Sequence, residues 1–200
     1  MQSNTFKIRK DRDSMYEILK EVEKCAEYTG MEKKDYLQLR LLAEELVSML
    51  PGLLEYYEGE FWISNRGKRY ALNVSVQIPF SSQEIREHLM ELSKSGKNAL
   101  AVGITGKIRC AVEAMIADVL AVDFEMTQYG GYGFYGALPM STYYTQAWSL
   151  NNYTEYLYQN DEKEDKDELE KSIIAKLSDD VIVGLKGKHV EIVIKKSFDK

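Results

Sequence analysis

The stretch EFWISN, followed by Arg66-Gly67-Lys68 and then RYALNVSVQI, constrains the fold more than any other part of the chain. Apolar and polar residues alternate on both sides of a glycine turn, a period of two that fits an antiparallel β-hairpin and no helix. A hairpin of this kind has one apolar face, and that face must be covered. The cover is encoded just upstream. In LRLLAEELVSML, Leu39, Leu42, Ala43, Leu46, Val47 and Leu50 fall at helical spacing. One side of a helix over about Lys33 to Leu50 therefore packs inward, with Glu44 and Glu45 at its border and Pro51-Gly52 as the expected stop.

The remaining pieces follow the same logic. Thr5 to Arg9 reads as a short strand, and Ser14 with Glu17 forms a capping box for a helix to about Tyr28, with Gly30 as its stop. Ser81-Ser82-Gln83-Glu84 caps another helix to about Ser93, Gly96 to Gly106 forms a loop, and Ile108 to Val122 reads as a mostly buried helix. DDVIVGLKGKHVEIVIKKSF closes the chain as two strands about Lys186-Gly187-Lys188. Strands reached across helices predict an α/β sandwich, that is, an α+β two-layer fold with a mixed, mainly antiparallel sheet and helices on one face.

Two hundred residues with 44% hydrophobic content and 29% charged suffice for one globular domain over 1–200. A net charge of −6 opposes attraction to a phosphate backbone, so no nucleic-acid partner is expected, although Lys94, Lys97, Lys107 and Arg109 form a small basic group. Cys25 and Cys110 lack metal spacing and read as buried thiols, which fits a reducing cytoplasm. No apolar run suits a signal peptide or a membrane span, so the expectation is a cytoplasmic protein that does not enter the membrane.

In order and texture the chain resembles the GHKL superfamily of ATPases (gyrase, Hsp90, histidine kinase, MutL), and within it the bacterial anti-sigma-factor serine kinases. The segments that carry the resemblance are FKIRKDRDSMYEILKEVEKCAEYTGM, LRLLAEELVSML, the hairpin to Ile78, KSGKNALAVGITGKI and VIVGLKGKHVEIVIKKSF. The resemblance implies a Bergerat-like fold with histidine kinase-like ATPase topology. It also implies a helix carrying ExxxN, where the Glu acts as base and the Asn holds magnesium, and a later DxGxG that receives adenine. Glu44 stands in register for the base. Ser48 stands where the Asn would be, and a hydroxyl is a shorter and weaker magnesium ligand than an amide carbonyl. Gln77-Ile78-Pro79-Phe80-Ser81 occupies the adenine motif, so Gln77 replaces a carboxylate and a proline replaces a glycine. At about 1–3 kcal/mol per polar contact, losing two or three weakens nucleotide binding about a hundredfold or more.

Gly96, Gly103 and Gly106, with Lys97 and Lys107 beside them, offer backbone N–H groups before a helix that can accept phosphate, and equally make an ordinary turn. The spacing is not that of a P-loop. His88 and His189 have no Cys partner and no HExxH context, and they read as surface or packing residues. The acid-rich DEKEDKDELEK reads as an exposed helix start.

Residues 125–160 have no counterpart in the resemblance and read as an insertion replacing the lid that closes over ATP. From Glu125 to Tyr158 the segment holds eight of the fourteen tyrosines and no Lys or Arg. Tyr129, Tyr132, Phe134, Tyr135, Tyr143, Tyr144 and Trp148 combine large apolar area with polar tips, as a protein-recognition surface does or as a self-packed cover over a vacated pocket does. Two functions follow. In the first the protein is a non-catalytic, anti-sigma-factor-like regulator that has no cofactor and binds a protein partner, a sigma factor or other signalling protein, with a homodimer also compatible. In the second it is a divergent ATP-binding kinase or ATPase with Glu44 as base, Ser48 on magnesium, and Gln77, Gly96, Gly103, Gly106 and Lys107 around the nucleotide. The first is preferred because the losses fall at both the metal and the adenine positions.

Overall fold

The computed structural model describes residues 1–9, 11–53, 58–77, 104, 106–108, 111, 147–160, 163–186 and 189–198. In chain order its elements are β1 (Phe6–Ile8), α1 (Arg12–Thr29), α2 (Lys33–Leu53), β2 (Gly59–Arg66), β3 (Arg69–Gln77), β4 (Ala147–Ser149), α3 (Leu150–Asn160), α4 (Lys163–Lys171), α5 (Ile173–Leu177), β5 (Asp180–Lys186) and β6 (His189–Ser197). Residues 104, 106–108 and 111 are also helical.

The six strands form one sheet in the order β1-β2-β3-β6-β5-β4. A mixed sheet was the expectation, yet every pairing among the described strands is antiparallel. β3 and β6 are far apart in sequence and lie side by side at the centre, which ties the two hairpins into one unit. A single row of paired residues crosses all six strands: Phe6, Phe61, Val74, Ile192, Val183 and Trp148. Because side chains alternate, that row, the parallel row Ile63, Leu72, Ile194 and Val181, and the pair Val76 and Val190 all project to the same face.

Helices cover that face. Ile18, Val22 and Cys25 of α1, Leu39, Leu42, Ala43, Leu46 and Leu50 of α2, Leu150 of α3, Leu169 of α4 and Ile174 of α5 join the sheet residues in one buried cluster. Ile104 and Ile108, four residues apart, join it as well. The fold is therefore a helix layer on an antiparallel sheet, as the alternation and the helical spacing predict.

Local differences have local causes. α1 begins at Arg12, two residues before the expected Ser14 cap. Asp11 is the N-cap, its carboxylate accepting from the Ser14 backbone N–H at 2.6 Å, while the Ser14 hydroxyl accepts from the Arg9 N–H at 3.1 Å. Aspartate caps as well as serine does, so two candidates three residues apart compete and the earlier one wins. Gly30 ends the helix in the left-handed region at φ 62°, as the sequence predicts. α2 runs through Pro51-Gly52 to Leu53. Proline has no N–H to continue the hydrogen-bond ladder, and the helix ends two residues beyond it.

The end of the tyrosine-rich segment belongs to the sheet. Residues 147–160 form edge strand β4 and helix α3, and Trp148 is half-buried with its ring 5.9 Å from that of Tyr153. Ile78, His88 and Cys110 lie outside the described residues, as do the expected helices over 81–93 and over most of 108–122. Cys25 is buried and unpaired, and burial pushes its thiol pKa up. Among the described residues no helix is long and apolar enough to cross a membrane.

Candidate functional site

The two positions that the resemblance assigns to catalysis lie on α2, and the helix period decides their surroundings. Leu39, Leu42, Ala43, Leu46 and Leu50 take the inward face, which leaves Leu37, Leu41, Glu44 and Ser48 on a single outward stripe. Leu37 and Leu41 are 47% and 40% exposed, and Glu44 and Ser48 are exposed with them.

Both polar groups on this stripe are engaged by their own helix. Glu44 Oε1 accepts from Arg40 Nε at 3.0 Å, one turn back, and Arg40 Nη1 donates to the Tyr36 hydroxyl at 3.0 Å. The Tyr36 hydroxyl first, and the Glu44 carboxylate second, raise the already high pKa of the Arg40 guanidinium. The Ser48 hydroxyl donates to the Glu45 carbonyl at 2.7 Å, the backbone contact that serines make within helices. Its oxygen keeps acceptor capacity, but its rotamer is set by the helix and not by a ligand.

Gln77 is the last residue of β3, exposed and opposite His189 in the register of β3 and β6. It follows Val76, whose side chain is in the core, so alternation turns Gln77 to the sheet face away from the helices. Its backbone N–H donates to the Glu58 carbonyl at 3.3 Å. Among the described contacts nothing links it to Glu44 or Ser48. His189 Nδ1 lies 3.4 Å from the Ser75 hydroxyl on that same outer face.

Of the glycine loop, Gly106 and Lys107 are described and both are helical, whereas Gly96 and Gly103 lie outside the described residues. Lys107 Nζ sits 5.7 Å from the centre of the Tyr153 ring, a cation–π contact that joins this helical stretch to α3. Of the tyrosine-rich recognition set, Tyr129, Tyr132, Phe134, Tyr135, Tyr143 and Tyr144 lie outside the described residues. Trp148 packs between β4 and α3. Among the described residues no group of three or more His, Cys, Asp or Glu side chains gathers as a metal site.

Sequence reasoning overlooked a concavity at the far end of the sheet. A groove of about 590 Å3 opens beside the β2–β3 turn, with Ser64, Ala71, Arg66, Arg69 and Lys195 in its lining. The only sequence signal was the density of Lys and Arg around Gly67 and at the end of β6, two places that become neighbours only through the pairing of β3 with β6. No protein-family model matches this chain, and no curated protein matches it.

Proposed function

We propose that the protein is a non-catalytic regulator of the GHKL type, anti-sigma-factor-like, that acts by binding another protein. The observation that carries this reading is the outward stripe of α2. Glu44 and Ser48 share that stripe with two exposed leucines, and each is hydrogen-bonded within its own helix. Exposed leucines one turn apart on a helix suit docking to an apolar partner surface, and a phosphate site has no use for them. The order of elements supports the family part of the reading: one strand, two helices, a hairpin, a helical stretch, and a closing hairpin paired back to the first.

Calorimetric titration with ATP and ADP, with and without magnesium, tests the proposal. The expected result is no saturable heat at millimolar nucleotide from protein that is folded by circular dichroism. Micromolar, magnesium-dependent binding that disappears in Glu44→Ala and Ser48→Ala would instead establish the divergent kinase or ATPase.

A further inference from the structure

The outward stripe of α2 is ordered by charge along its length. Lys33 and Lys34 stand at its start, Leu37 and Leu41 in the middle, and Glu44 and Glu45 beyond them. Both leucines are exposed, at 47% and 40%, as are both lysines and Glu44, while Glu45 is half-buried. At about 3.6 residues per turn, Lys34 and Glu45 flank the leucines on one edge of the stripe, and Lys33 and Glu44 on the other.

That order is its own complement when reversed. A two-fold axis midway between Leu37 and Leu41 lays a second α2 antiparallel on the first, with Leu37 of each copy against Leu41 of the other. The same operation brings like edges together, so Lys34 meets Glu45 and Lys33 meets Glu44 of the other copy. Each pair is level to about 1.5 Å, the rise of one residue. A parallel, in-register pairing would instead set lysine on lysine. The charges are available for this: among the described residues Lys33, Lys34 and Glu45 form no ion pair. Glu44 gives one oxygen to Arg40 at 3.0 Å and keeps the other. Arg40 itself is drawn to the Tyr36 hydroxyl at 3.0 Å, on the side of the helix turned away from the leucines.

We infer that the occupant of the stripe is a second copy of this chain, and that the protein forms an isologous dimer through antiparallel α2 helices. The inference rests on the reading of this stripe as a docking surface, given above, and names what docks there. A foreign partner needs apolar area, whereas a palindromic order of charge about the leucines is what a two-fold interface requires. The paired helices overlap from Lys33 to Glu45, about 20 Å, which falls short of the area of about 1,200 Å2 that a permanent interface buries. The dimer is therefore reversible, and its formation follows protein concentration.

Sedimentation equilibrium of the full chain between about 1 μM and about 1 mM, at about 50 mM salt, tests this. A monomer–dimer equilibrium is expected, weakening as salt rises. Leu37→Gln/Leu41→Gln should weaken it at least about tenfold, and Tyr16→Gln/Tyr28→Gln on α1, which removes two other exposed apolar side chains, should leave it unchanged. Lys33→Glu/Lys34→Glu and Glu44→Lys/Glu45→Lys should each weaken self-association at least about tenfold. Mixed in equal amounts, these two charge variants should form a heterodimer at least as tight as the wild-type dimer, because every facing pair is then of opposite charge. Circular dichroism checks that each variant is folded. A monomer at every concentration, a dimer indifferent to the leucine variant, or charge variants that stay apart when mixed would overturn the inference. Monomeric behaviour would leave the proposed function standing, since that reading fails on nucleotide binding and this one on association.

Discussion

Phe61 and Trp62 are neighbours on β2 and opposites in environment. Phe61 is fully buried, 5.4 Å from the Phe6 ring, and lies in the row that crosses all six strands under the helices. Trp62 faces the other way, half-buried beside Asn73, Val193 and Ile182 in a row that no described helix covers. The two faces of one sheet thus differ: the inner one joins the buried cluster of the helices, and among the described residues no helix packs on the outer one. The larger aromatic should therefore matter less to stability than the smaller one.

That comparison can be broken by urea denaturation of two variants. Phe61→Ala should cost about 3–5 kcal/mol, combining lost burial with an unfilled cavity. Trp62→Ala should cost about 1–2 kcal/mol, since much of the indole already meets water. Equal losses would mean that the outer face is covered in solution.

Asn73 sharpens the contrast because it is polar, on the outer face, and only 7% exposed. Its amide donates to the Ala71 carbonyl at 3.0 Å, the Trp62 carbonyl at 3.2 Å and the Ser64 hydroxyl at 3.2 Å. It holds β2 against β3 beside the groove. Asn73→Ala should cost about 1–3 kcal/mol in the same assay, the price of leaving acceptors unmet at a buried position. A change within about 0.5 kcal/mol would instead show that water replaces the amide freely there.

The sequence made the inner face legible and left most of the outer face unread, for a physical reason. Burial leaves a period: Phe61, Ile63, Leu72, Val74 and Val76 announce their face two by two, and Leu39 to Leu50 announce theirs at helical spacing. The turn at Gly67, with φ 62°, was legible for a related reason, since glycine adopts the left-handed region without strain. β4 was not legible. Three residues, Ala147 to Ser149, are too few to show alternation, and their place at the sheet edge depends on β5 about thirty residues later. The groove was equally hidden, because Arg66 and Lys195 meet only once β3 pairs with β6. For the α2 stripe, spacing put Glu44 at the border of the apolar face, whereas the helix carries it on the exposed side with Leu37, Leu41 and Ser48. Nor could spacing show that Arg40 and Tyr36 hold that carboxylate in place.

The smallest expected effect lies at the start of α1, where an exposed polar contact sets an element boundary. The Ser14 backbone N–H, then the Ser14 hydroxyl and the Arg9 guanidinium, hold the Asp11 carboxyl below the ordinary aspartate range. A carboxyl whose folded pKa is depressed contributes stability that is complete above its unfolded value. That contribution disappears as the pH falls through the lower folded value. Asp11→Asn keeps a good capping residue and removes the titration. The stability difference between wild type and Asp11→Asn, followed by urea midpoints from neutral pH downwards, should therefore be constant above about pH 5 and shift against the wild type below about pH 4. A difference that does not change with pH would mean that the carboxylate is solvated and that Ser14 caps the helix after all. By contrast, the inner-face loss in Phe61→Ala, which involves no ionisable group, should be carried unchanged across the same range.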